Sequence, residues 1–169
     1  MKQSLHRIMG IDPGFGRLGW AFIEQKKQGW TALDYGCVET SKTLPFSDRL
    51  FQIHRELKIA IDRFLPDCVA VEQLFFYKNV KTALDVGQAR GVVILTCKQK
   101  GLPVYEYTPL QVKQALVGYG RAEKRQVEQM VKLVLGIGST SRIQDDAADA
   151  LAVAYTCSAS LKSMDIRVV

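Results

Sequence analysis

The sequence predicts an α/β fold: a five-stranded mixed sheet, an antiparallel meander followed by parallel strands, flanked by helices. Three observations predict it. An apolar run from Ile8 ends at Asp12 and turns through Pro13, Gly14 and Gly16 into a second apolar run, Leu18 to Ile23, the pattern of a hairpin. Apolar spacing then changes to the helical period between Ser47 and Phe64. Beyond that point short apolar runs alternate with helical stretches, the order that builds parallel strands through crossovers.

Taken in order, Lys26 to Gly29 is a polar turn and Trp30 to Thr40 a third strand. Leu50, Phe51, Ile53, Leu57, Ile61 and Phe64 mark the apolar stripe of a covering helix, which Leu65-Pro66-Asp67 stops. Cys68 to Val71 is a strand ending in Glu72, and a crossover helix makes it parallel to a neighbour. Asp12 and Glu72 can therefore end adjacent strands at one edge, where ligands bind in open α/β sheets. An aspartate before Pro-Gly also serves simply as a turn residue, and the second acid weakens that alternative.

Leu74 to Asn79 is a loop with three aromatic residues, Phe75 among them, followed by Lys78 and Lys81. Such rings either cap the core or stack on exposed bases beside basic groups. Thr82 to Lys100 reads as a helix with a small-residue stripe at Ala83, Gly87 and Gly91, a sign of close backbone approach to the sheet or to another subunit. Leu102 to Tyr107 is the fifth strand, and Thr108-Pro109 caps and opens the next helix, which holds Lys113 and ends at Gly118. Arg121, Lys124 and Arg125 then lead into a helix from Val127 to Leu135. This basic run is either a solvated face or a phosphate contact.

A polar loop from Gly136 to Ile143 delivers Asp145-Asp146-Ala147-Ala148-Asp149. Asp146 and Asp149 share one helix face, with Asp145 as the expected cap. Acids at a helix amino end can simply favour the dipole, yet like charges at this spacing repel, and a cation held with Asp12 and Glu72 relieves that repulsion.

The 169 residues suit one domain, with an ordered core expected over about 7–158, and 47% hydrophobic composition supports a core without disulfides or structural metal. The formal charge of +6 suits a polyanionic partner. Cys37, Cys68, Cys97 and Cys157 form no C-x-x-C pair and read as reduced thiols, which leaves zinc without a site. His6 and His54 are the sole histidines and no nucleophile-elbow motif occurs, so triad chemistry lacks parts. Met1 to Arg7 is too polar for a signal sequence and no apolar run spans a bilayer, so the expected location is the cytoplasm. Clustered carboxylates form a hard oxygen site for Mg2+ or Mn2+. On a basic chain they point to phosphodiester hydrolysis with two ions per site.

Gly-Ile-Asp-Pro-Gly at 10–14, Val-Glu-Gln-Leu-Phe at 71–75, Gly-Gln-Ala-Arg-Gly-Val at 87–92, Gln-Val-Lys-Gln at 111–114 and Asp-Ala-Ala-Asp-Ala-Leu-Ala at 146–152 together resemble the RuvC family of Holliday junction resolvases. The resemblance implies a ribonuclease-H-like fold and Asp12, Glu72, Asp146 and Asp149 as catalytic, metal-binding acids. It implies Lys113 and Lys124 near scissile DNA and Phe75 at the position that engages unpaired junction bases. A homodimer nicking opposed strands of four-way junction DNA, leaving ligatable 5′-phosphate and 3′-hydroxyl ends, is likewise implied, as are RuvA-RuvB branch-migration partners. The same strand-aspartate-glycine opening occurs in ATPases of the actin and sugar-kinase type. Those need a second domain and a second phosphate loop, which this length does not offer. The other alternative is a non-catalytic junction-binding protein, which would hold junctions equally well without magnesium.

Overall fold

The computed structural model describes residues 6–73 and 80–161. Phe75 and Lys78 lie outside them. In chain order the elements are β1 (Arg7–Asp12), β2 (Arg17–Lys26), β3 (Gly29–Glu39), α1 (Phe46–Phe64), β4 (Cys68–Glu72), α2 (Val80–Gln99), β5 (Val104–Tyr107), α3 (Pro109–Val117), α4 (Lys124–Val134) and α5 (Asp145–Ser160). The strands form a five-stranded sheet in the order β3-β2-β1-β4-β5. The meander β1-β2-β3 is antiparallel, whereas β4 lies parallel to β1 and β5 parallel to β4.

Strand alternation divides the core between the two sheet faces. Met9, Ile11, Val69 and Val71 point toward Ile53, Leu57 and Ile61 of α1 and Ala89, Val93 and Cys97 of α2. Ile8, Cys68 and Ala70 point the other way, into a cluster with residues of α3, α4 and α5. Phe51 falls off the α1 stripe: it is 63% exposed, because the buried residues recur at a strict four-residue interval through Ile53, Leu57 and Ile61. The helix ends at Leu65, whose left-handed backbone lets its N–H bond to the Ile61 carbonyl before Pro66 turns the chain away.

Two capping boxes set the lower helices. Thr108 and Gln111 cap α3 reciprocally, with Pro109 in the first turn and Gly118 in the left-handed conformation at the end. Glu123 and Gln126 do the same for α4, so this helix starts at Lys124 rather than near Val127. Lys124 and Arg125 are thus first-turn helical residues, separated from Arg121 by the turn. At α5 the capping position belongs to Gln144, and Asp145 is already helical. Cys68, Cys97 and Cys157 are buried free thiols and Cys37 is half-buried. Among the described residues no helix is long and apolar enough to cross a membrane.

Candidate active site

Parallel pairing brings the first two acids together. Ile11 lies beside Val71 in the β1–β4 register, so the next residue on each strand, Asp12 and Glu72, closes it at the same edge. Both share the parity of Gly10 and Ala70 and therefore belong to the α5 face. The two carboxyls are close enough that the charge of Asp12 disfavours ionisation of Glu72.

Backbone contact brings in the other two. Asp12 pairs with Gly19 on β2, and a Cβ on Gly19 would stand 1.9 Å from the Asp146 carbonyl oxygen. A Cβ on Gly10 would stand 2.0 Å from the Ala150 carbonyl oxygen. The first two turns of α5 therefore rest directly on β1 and β2, at a distance that only glycine permits. The alanines at 147, 148, 150, 152 and 154 are all buried, and Ala150 and Ala154 lie directly against Gly10. Asp146 and Asp149, one turn apart, are delivered beside Asp12.

Burial and crowding raise the proton affinity of Asp12, Glu72 and Asp149. Asp12 is pushed up to about 7, first by burial and then by the charges of Asp149 and Asp146, with Lys124 pulling the other way. Glu72 is pushed up to about 8 by burial, then by Asp12 and Asp149. Asp149 is raised by burial and partly relieved by Lys124. Two cations meet the outer acids. Lys124 Nζ lies 3.2 Å from Asp149 Oδ2 and 3.3 Å from Asp145 Oδ2, and Arg17 Nη1 lies 3.2 Å from Asp146 Oδ2.

Of the other basic residues singled out in the sequence, Lys113 lies half-buried within α3 and forms no ion pair among the described residues. Arg121 is exposed in the turn between α3 and α4. Arg125 lines a cleft of about 690 Å³ with Glu128, Lys132 and Leu133, a lining that includes none of the four acids. Among the described residues nothing approaches the α2 glycines closely: a Cβ at Gly87 or Gly91 would meet no atom within 4 Å. Sequence reasoning missed Arg17 and the two contact glycines; Gly10 and Gly19 each interrupt an apolar strand, which is the local signal of close backbone approach.

Among the described residues, no three His, Cys, Asp or Glu side chains are placed to hold one ion as they lie. Asp146 and Asp149 are turned to Arg17 and Lys124. The donor set nonetheless fits a hard divalent cation: it is all carboxylate oxygen, partly buried, and charged against itself.

A mixed sheet in this order, flanked by helices and carrying acids at two adjacent strand ends and on the last helix, defines the class of ribonuclease-H-like α/β nucleases. Residues 8–157 match the family described as crossover junction endodeoxyribonuclease RuvC. A curated member from Ruminiclostridium cellulolyticum is 50% identical over 147 residues, covering 87% of this chain and 88% of the relative. The solved structure of Thermus thermophilus RuvC is 37% identical, with a TM-score of 0.88 over 96% of this chain and 99% of that one. The T. thermophilus protein in complex with Holliday junction substrate gives 0.90 at 36% identity, over 97% and 99%. The chain belongs to the RuvC family.

Proposed function

We propose that Asp12, Glu72, Asp146 and Asp149 are the catalytic carboxylates of this enzyme, a divalent-metal-dependent endonuclease that resolves four-way DNA junctions. The observation that carries the assignment is the seating of α5 on Gly10 and Gly19, which sets two helix acids against two strand-end acids. Such a group is unfavourable without a cation, and the raised proton affinity of Asp12 and Glu72 reflects how strongly charge is resisted there.

The acids would hold Mg2+, with Mn2+ as a substitute. When bound, such ions would supply an activated water and stabilise the leaving oxygen. To serve as ligands, Asp12 and Glu72 must be ionised, against the burial that raises their proton affinity. Asp146 and Asp149 must exchange Arg17 and Lys124 for the incoming ions. Lys124, once freed from Asp149, would stand at the rim of the acids, where it could offset the growing negative charge of a reacting phosphate. Lys113 is proposed for the same strand.

Arg121 and Arg125 extend the phosphate-binding surface along the entry to α4. Phe75 and Lys78, outside the described residues, keep the DNA-contacting roles that the resemblance implies. We place the homodimer contact on the outer face of α2, where Leu84 and Leu95 are exposed beside Gly87 and Gly91. An isologous pair matches the near two-fold symmetry of a four-way junction. Association with the RuvA-RuvB complex rests on family membership.

The test is cleavage of labelled four-way junctions and matched linear duplexes in Mg2+ or EDTA, beside Asp146→Asn. We expect paired, ligatable nicks in the junction alone, lost in EDTA and reduced at least about 100-fold in the variant. Unpaired nicks would contradict the dimer. Binding without cutting would move the assignment to a non-catalytic junction binder.

A further inference from the structure

Arg17 opens β2 one residue past Gly16, in register with Glu39 on β3. Its guanidinium bridges two carboxylates from distant parts of the chain: Nη1 to Asp146 Oδ2 at 3.2 Å and Nε to Glu39 Oε1 at 3.2 Å. Gln144 Nε2 donates to the same Glu39 oxygen at 3.5 Å. The turn that carries Arg17 is strapped down, since the Thr40 N–H and hydroxyl donate to the carbonyls of Gly16 and Phe15 at 3.0 and 2.6 Å. The Arg17 side chain itself remains 49% exposed.

We propose that Arg17 is a phosphate-contacting residue at the rim of the acidic site, stored on Asp146 in the absence of a divalent cation and released to the DNA backbone when one binds. This rests on the reading of Asp146 as a metal ligand. A guanidinium and a divalent cation compete for the same carboxylate, and one of them must yield. The helix cannot retreat from its cation, because the Asp146 backbone lies against Gly19. The arginine side chain is long and half in solvent, so it moves instead.

Glu39 keeps the guanidinium at the rim after that exchange. It sits beside Arg17 across the β2–β3 ladder, is itself 58% exposed, and holds the Nε edge rather than the edge that faces Asp146. The freed Nη1 edge then faces outward next to the acids, where a strand must pass to reach them. Its planar fork suits phosphate oxygens. Arg17 therefore adds a positive contact on the β2–β3 side of the acids, opposite Lys124, and couples the loading of metal to the binding of substrate.

The experiment uses the full chain as wild type, Arg17→Ala, Arg17→Lys and Asp146→Asn. Free Mn2+ is followed by electron paramagnetic resonance without DNA, and junction affinity is measured in Ca2+ across a salt series. Removing an exposed competing ion pair should tighten Mn2+ binding about two- to five-fold in Arg17→Ala. The slope of log affinity against log salt should fall by about 0.9 for each phosphate that the missing arginine no longer neutralises, and Arg17→Lys should retain it. Unchanged Mn2+ affinity with an unchanged slope in Arg17→Ala would overturn the proposal. Weaker Mn2+ binding with a lower melting temperature in EDTA would also overturn it, making Arg17 a structural brace. Full Mn2+ binding and cutting by Asp146→Asn would instead overturn the assignment of the acids, a result the arginine variants do not mimic.

Discussion

The two faces of the sheet are packed by opposite means. On one, α1 and α2 are held by large interdigitating side chains such as Met9, Ile11, Phe22, Ile53 and Leu57, all fully buried. On the other, α5 meets β1 and β2 through glycines and alanines, with backbone on backbone. Side-chain packing yields much stability and tolerates small shifts, since neighbours can relax. Backbone contact leaves no such slack. The four acids lie on the second face, where the helix has one position.

The sharpest way to break this comparison is Gly19→Ala. Its new methyl group would meet the Asp146 carbonyl, which must move by more than an ångström. A displacement of that size at reacting groups costs on the order of 100-fold in rate, so junction cleavage should fall at least that far. Ile53→Ala on the other face should cost about 2–5 kcal/mol of stability yet leave cleavage per folded molecule unchanged. Urea melts and cleavage assays normalised to folded protein separate the two. Equal losses of cleavage in both variants would show that the faces are not different in kind.

A smaller effect tests the charge held on the α5 face. Asp12 and Glu72 bind protons more tightly in the folded chain, at about 7 and about 8, than carboxyls do in the unfolded one, near 4. Their contribution to stability is therefore fully present below pH 4 and is lost as pH rises through 7 and 8. In EDTA the melting temperature should fall between pH 5 and 8 by at least about 3 °C. Mn2+ should restore it, and Asp12→Asn should reduce the fall. A flat profile in EDTA would show that the acids do not strain against one another.

Much of the site is legible in the sequence because its acids sit where simple rules put them. Asp12 and Glu72 each end an apolar run, and Asp146 and Asp149 share a helix face by spacing alone. The departures are local or long-range. Asp145 is a better cap than Gln144 by propensity, but the chain enters α5 one residue earlier and Asp145 meets Lys124 instead. Glu123 is a poor capping residue taken alone, so propensity places the start of α4 too late; its reciprocal bonds with Gln126 supply what propensity does not. The glycines of α2 stand out as a packing stripe, while Gly10 and Gly19, which do carry the helix, are hidden within their strands. Arg17 meets an acid 129 residues away, and no local pattern announces such a pair.

The central claim, that these four carboxylates form one metal site, is most directly tested by locating Mn2+ through its anomalous scattering in crystals of the junction-bound enzyme. Peaks are expected between Asp12, Glu72, Asp146 and Asp149, with Asp146 turned from Arg17 to the ion. Mn2+ bound elsewhere, with Asp146 still paired to Arg17, would contradict it.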